Sequence, residues 1–211
     1  MVRFFLLMVL TLLAPTARTA DKTKVPVYKT PRDVFIAKKK ALEAKDWRTL
    51  HRLYSKDSQK RVLTENLTGT WYFASGKVPG LGKVDAEIQQ AADQLLTKHG
   101  FPKKKRESLK VPKQGTKAER AFFARLAETI KDGESLTVGF SNLMIKLIPA
   151  SQLSPGDPKD LKVTITGDRA LGIVPVKIGN KKAYDLRTHF KKVGQGWKLY
   201  HPRPSDENRP N

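Results

Sequence analysis

The side chains with the most obvious chemical reach in this chain are cations. Lysine and arginine number 41 against 20 aspartates and glutamates, a formal charge of +21. They cluster at Lys38–Lys40, Lys103–Arg106, Lys181-Lys182 and Lys191-Lys192. Such an excess favours contact with nucleic acid, anionic glycans, membrane headgroups or acidic proteins. It equally suits a solvated surface that only keeps the protein soluble. The densest run, Lys103, Lys104, Lys105 and Arg106, is the candidate polyanion contact, and Phe101 stands beside it. No helix-turn-helix, zinc finger or aromatic platform accompanies these clusters, so sequence-specific nucleic-acid binding is not expected.

Other chemistries find little support. The histidines are His51, His99, His189 and His201, and none lies at metal-ligand spacing from another. Neither a metal nor another cofactor is expected. His99, followed by Gly100, suits a helix C-terminus where a cation meets the helix dipole. There is no cysteine, which excludes thiol nucleophiles, thiolate-bound zinc and disulfides. No Gly-x-Ser-x-Gly elbow occurs. The glycine-rich stretch GKVPGLGK runs into Val84 and so lacks the ending of a phosphate-binding loop.

The first residues read as an export signal. Arg3 is followed by an apolar run from Phe4 to Leu13 and by small residues at Ala14, Ala17 and Ala20. That run is too short to cross a bilayer, which takes about 20 apolar residues. The expected organisation is a signal peptide over 1–20 and a flexible lead-in over 21–29. A single domain follows over 30–201, with a helical insertion at about 76–132, and then a disordered polar tail over 202–211. The mature protein is expected to be soluble, and secreted or periplasmic.

Helical signals fill the first two thirds. Thr30, Pro31 and Asp33 have the order of an N-cap, a first helical position and a first-turn acid. Asp46 caps a second short helix. A third spans 58–75, with Leu63, Leu67, Trp71 and Ala74 on one face and Asp57 as its cap. Residues 85–99 repeat their apolar positions at helical spacing, as do 117–131. Residues 101–115 read as a loop by composition. From Leu136 to Ile148 the apolar residues alternate, which predicts a strand with an irregularity. Strands follow at 161–166 and 170–176, joined at Gly167-Asp168. A turn at Gly179-Asn180 leads to a strand on which Tyr184, Leu186, Thr188 and Phe190 share one face and Asp185, Arg187 and His189 the other. Gly194 to Gly196 turn the chain into Trp197-Lys198-Leu199-Tyr200. Pro175 points to a sheet edge or a bulge. Helices first and antiparallel strands last predict an α+β fold, with the N-terminal helices packed on a curved, cone-like sheet and extra helices between.

Two stretches carry a family resemblance. The first is the opening helix pair, from Pro31-Arg32-Asp33-Val34 through Ala44-Lys45-Asp46-Trp47 to Tyr54-Ser55. The second is the ending: Gly167-Asp168-Arg169-Ala170, then His189-Phe190-Lys191-Lys192-Val193-Gly194-Gln195-Gly196-Trp197-Lys198-Leu199. Together they resemble the nuclear transport factor two-like superfamily, the α+β cone shared with SnoaL-like cyclases and ketosteroid isomerases. The likeness is greatest to small exported bacterial members of unassigned function. It implies an inner sheet face that is either a filled core or an apolar pocket, with Tyr54, Trp71, Tyr184, Phe190 and Trp197 as candidate pocket residues.

An enzyme of this superfamily would use a carboxylate base and a tyrosine, for which the matching positions are Tyr54 and Asp57. The inner strand face supplies no acid. The expected role is therefore a non-enzymatic binding or interaction domain. Its partners would be a small apolar ligand, or an anionic polymer or acidic protein. The chain would be a monomer or a homodimer. The alternatives are an isomerase or cyclase, and a basic cell-envelope protein that binds anionic polymers.

Overall fold

The computed structural model describes residues 26–78, 83–147, 156–176 and 184–202. The expected signal peptide, the Gly179-Asn180 turn, Lys181-Lys182 and the tail from 203 lie outside the described residues. Seven helices come first among those described: α1 (Pro31–Glu43), α2 (Trp47–Leu53), α3 (Lys56–Ser75), α4 (Ala86–Lys98), α5 (Lys103–Ser108), α6 (Lys117–Glu128) and α7 (Gly133–Ile145). Four strands follow: β1 (Lys162–Thr166), β2 (Arg169–Val176), β3 (Tyr184–Val193) and β4 (Gly196–Tyr200). They form one antiparallel sheet in chain order. The fold is α+β, with the helices N-terminal to the sheet.

Local chemistry starts most helices where the sequence places the starts. At α1 the Thr30 hydroxyl accepts from the Asp33 N–H at 3.1 Å, and the Asp33 carboxylate accepts from the Thr30 N–H at 3.1 Å. This reciprocal pair satisfies two donors that the helix itself cannot. Asp46 caps α2 through the Thr49 N–H. The cap of α3 is Ser55, not Asp57, which sits exposed in the first turn. α3 ends at Gly76, whose φ of 69° is open to glycine at little cost.

Two elements differ from the sequence reading. Residues 103–108 form the short helix α5 rather than a loop. The cause is tertiary: the Arg106 guanidinium donates to the Phe101 carbonyl and pairs with Asp93 of α4. Residues 133–145 form α7 rather than a strand. Leu136, Phe140 and Leu143 also fit helical spacing, and the helix spacing prevails because Asp132 caps it through the Ser135 N–H. Two glycines let α7 approach closely. A Cβ on Gly139 would meet Leu95 of α4 at 2.5 Å, and one on Gly69 of α3 would meet Phe140 at 2.7 Å. The helical region therefore runs to residue 145, past the expected limit near 132.

The helices divide between two jobs. α1 and α2 cover the sheet: Val34, Phe35 and Leu53 join Ala170, Val174, Phe190, Trp197 and Leu199 in one buried cluster. α3 is the axis of a separate bundle with α4, α6 and α7. There Trp71 lies edge-on to Phe123 at 5.6 Å and to Phe101 at 6.1 Å. Glu119 is buried beside this bundle. It accepts from the Tyr72 hydroxyl and from the Gly115 N–H, and so holds the start of α6 against α3.

The two parts are tied at the free edge of β4. The Trp197 N–H donates to the Tyr28 carbonyl at 2.8 Å, and the Ser55 N–H donates to the Leu199 carbonyl at 2.9 Å. The end of the lead-in is thus paired to the sheet at Tyr28 rather than loose. Ser58 extends the tie. Its hydroxyl oxygen accepts from the His201 N–H at 3.0 Å and from the Ser55 hydroxyl at 2.8 Å. Arg52 of α2 forms a two-pronged pair with Glu134 of α7, at 3.0 Å on each prong. Pro175 sits on β2, which has a neighbour on either side, yet β1 pairs only as far as Ile173. Position 175 is therefore a local edge, where the missing N–H costs no ladder bond.

Ser58 is fully buried and accepts two bonds, so its loss leaves one buried donor, the Ser55 hydroxyl, and one half-buried donor, the His201 N–H, without this acceptor. Ser58→Ala is expected to lower unfolding stability by about 1–3 kcal/mol. Urea denaturation followed by circular dichroism checks this. An unchanged midpoint would mean the edge tie contributes nothing.

Candidate functional site

The sheet has two faces of opposite character, and strand register assigns each residue to one of them. Cross-strand pairs Ala170–Phe190, Gly172–Thr188 and Val174–Leu186 face α1 and α2. Phe190 and Val174 are fully buried there, and Thr188 is buried with them. Glycine is required at 172, because a Cβ would meet the Phe190 ring at 2.9 Å and Leu161 at 3.0 Å. Burial falls off along β3: Leu186 is half-buried and Tyr184 is 43% exposed.

The five candidate pocket residues are not brought together. Phe190 and Trp197 are buried in the sheet cluster, with Tyr54 packed at its margin. Trp71 belongs to the α3 bundle instead. Tyr184 is exposed at the far end of β3. Tyr54 ends α2, where its backbone bridges to Leu199, and burial together with the charge of Glu65 raises its phenol pKa. Asp57 points into solvent at the start of α3. No hydrogen bond joins the two.

A residue the sequence reading passed over stands at the boundary between the packed and the open part of the inner face. Lys38 of α1 donates to the Thr188 hydroxyl at 3.1 Å, and its ammonium lies 5.9 Å from the centre of the Phe35 ring. No carboxylate among the described residues pairs with it. Burial alone lowers its pKa from 10.5 to about 8. The sequence signal was weak: Lys38 is one of three consecutive lysines, and only helical phase separates it from them. Lys39 pairs with Glu43, and Lys40 is exposed.

The opposite face is polar and cationic. Register places Arg169, Lys191 and Lys198 in one row across three strands, and Lys162 and Arg187 in another with Ile173 between them. Tyr200 lies among them, its ring 5.2 Å from the Arg169 guanidinium and 6.0 Å from the Lys191 ammonium. Cations over an aromatic ring are held by its electron-rich face. Lys198 reaches round the edge to the Arg52 carbonyl at 3.3 Å. Asp185 is the acid on this face within the strands.

The candidate polyanion cluster on α5 is partly withdrawn. Arg106 is tied to Asp93 and Phe101, with its side chain 10% exposed. Lys105 donates to the Gly100 carbonyl at 2.9 Å and lies over the Phe101 ring. Lys103 and Lys104 are exposed. His99 does end α4, but burial and the neighbouring Lys98 lower its pKa. It does not act as the cation expected against the helix dipole. His51, also buried, has its pKa lowered mainly by desolvation, and its Nδ1 has no partner.

Two pH dependences follow. For His51 and His99, the unfolded chain binds protons below about pH 6.5 that the folded chain does not. Their contribution is fully present above that value and is lost on acidification, which melting curves from neutral to mildly acidic pH will show. For Lys38, the folded state carries a desolvated cation below about pH 8, and the penalty vanishes above 10.5. A Lys38→Met, Thr188→Val double variant is expected to gain about 1–3 kcal/mol at neutral pH, discounted for partial exposure, and to lose that gain above pH 10.5. A gain independent of pH would show that Lys38 is not desolvated.

Compared with known protein families, curated proteins and solved structures, the chain has no match.

Proposed function

We propose that this chain is an exported, non-enzymatic interaction domain whose outer sheet face takes an anionic polymer. The observation that carries the reading is the strand register, which puts Lys162, Arg169, Arg187 and Lys191 on one sheet face, with Tyr200 beside Arg169 and Lys191. Adjacent strands lie about 4.8 Å apart. Arg169 and Lys191 therefore stand one strand spacing apart and Lys162 and Arg187 two, so the face offers cations at intervals of about 5 and about 10 Å. The charge of +19 that remains without Arg3 and Arg18 of residues 1–20 (21 − 2) adds long-range attraction.

The inner face supports the same reading from the other side. Its large side chains are occupied in packing, and the Tyr54 and Asp57 pair needed for isomerase or cyclase chemistry is not assembled. Export rests on the order of residues in the N-terminal stretch, and no described helix is long and apolar enough to cross a membrane. Kinship with the nuclear transport factor two-like superfamily is part of the proposal. It is supported by α1 and α2 lying over the inner face and by the tryptophan on the last strand.

Titration with a sulfated glycan between about 50 and about 200 mM salt tests the assignment. Each cation that meets the polymer should contribute close to one unit to the slope of log affinity against log salt. A Lys162→Ala, Arg187→Ala, Lys191→Ala variant is expected to lower that slope by roughly two to three. Lys103→Ala, Lys104→Ala should leave it nearly unchanged. The reverse pattern, or binding indifferent to salt, would remove the outer face from the function.

A further inference from the structure

We propose that the trough between α4 and α7 is a binding site for an aliphatic carboxylate, a straight apolar chain with an anionic end. The trough belongs to the helical bundle and not to the outer sheet face. The proposal goes beyond the polymer-binding reading and does not depend on it.

The way the two helices meet creates the trough. Leu136, near the start of α7, packs with Leu96, near the end of α4, whereas Leu143 packs with Ile88 at the other end. The helices are therefore antiparallel. Each presents one face at the spacing i, i+3, i+4 and i+7. On α4 that face is Ala91, Gln94, Leu95 and Lys98. On α7 it is Gly139, Asn142, Leu143 and, just past the last turn, Lys146. The backbones come close at Gly139, where a Cβ would meet Leu95 at 2.5 Å. The missing side chain there and the single methyl of Ala91 leave a cavity of about 300 Å³.

The floor of this cavity is apolar, and its cations stand at the two ends. From the contact between Gly139 and Leu95, Lys98 lies three residues along α4 in one direction. Lys146 lies seven residues along α7 in the other. At 1.5 Å per residue the two are about 15 Å apart along the trough. Both lysines are exposed, and no carboxylate among the described residues pairs with either. Asp93 of α4 and Glu134 of α7 are engaged elsewhere, by Arg106 and by Arg48 and Arg52. No described acid lines the trough, and Gln94 and Asn142 add amide donors along its rims.

An occupant that fits is apolar along its length and anionic at an end. Entering in either direction, it meets a lysine. Size selects a small molecule: such sites start at about 300 Å³, whereas a specific protein interface takes about 800 Å² from each partner. Two short helical stripes do not supply that area. Burial of the methylenes provides affinity, and the pairing of carboxylate with ammonium fixes the end.

The test titrates the folded protein with decanoate by calorimetry, below the concentration at which decanoate forms micelles. Saturation at one decanoate per chain is expected. Affinity should rise at least about twofold per methylene from hexanoate to decanoate, against about fourfold for a fully buried methylene. A Lys98→Glu, Lys146→Glu variant reverses both ends and, because both side chains are exposed, leaves the core intact. It is expected to weaken decanoate binding at least about 10-fold. The Lys162→Ala, Arg187→Ala, Lys191→Ala variant should bind decanoate as the parent chain does. Decyltrimethylammonium, with the same chain length and the opposite charge, should not saturate. The inference is overturned by absent saturation, by equal binding of decyltrimethylammonium, or by a loss that follows the outer-face variant instead. None of these outcomes bears on the glycan titration, so the two readings fail separately.

Discussion

The exposed edge of β4 is the constraint on which the rest of the structure depends. A sheet edge carries backbone donors and acceptors that must find partners or water, and an open edge invites pairing with other chains. Here two segments close it. Tyr28 meets Trp197 from the N-terminal side, and Ser55 meets Leu199 from the junction of α2 and α3. Gly196 makes the first contact feasible, since a Cβ there would lie 2.8 Å from Val27. The second contact sets where α3 begins, because Ser55 both bonds the strand and caps the helix. The bundle built on α3 is held in position by that pair, by the Ser58–His201 bond and by the Arg52–Glu134 link.

This arrangement explains why the two sheet faces differ so sharply. Once α1 and α2 lie on one face, apolar residues there are removed from water at about 25 cal/mol per Å², and only a satisfied polar group is tolerated. Thr188 and Lys38 satisfy each other at the margin of that layer. No described helix lies over the other face, where Lys162 and Arg187 are exposed and keep their charges in water at little cost. Tyr200 lies beneath Arg169 and Lys191 and gives that surface an aromatic anchor.

Much of the fold was legible residue by residue. The caps at Thr30 and Asp46, the hairpin at Gly167-Asp168 and the alternation on β3 are local chemistry, and local chemistry acts over a few residues. Leu136 to Ile148 was not legible in the same way, because its apolar positions satisfy a period of two and a period of 3.6 in part. Packing of Gly139 and Phe140 against α4 and α3 decided between them. Residues 103–108 read as a loop because breakers surround them, whereas Arg106 finds a carboxylate thirteen residues upstream. The inner-face tyrosines and tryptophans looked alike in sequence, yet Trp71 and Trp197 belong to different cores.

The sequence by itself determined the class of the fold, the polarity of each strand face and the large positive charge, because these follow from periodicity and composition. It could not determine which cations are paired and which are desolvated. Arg106 is drawn into an ion pair and Lys38 is pressed against Thr188, although both stand in similar basic runs, and Lys198, alone between Trp197 and Leu199, bends round an edge. Only the tertiary structure separates them. The free energy of a charge depends on the water and the partners around it, and those are supplied by elements up to 150 residues away along the chain.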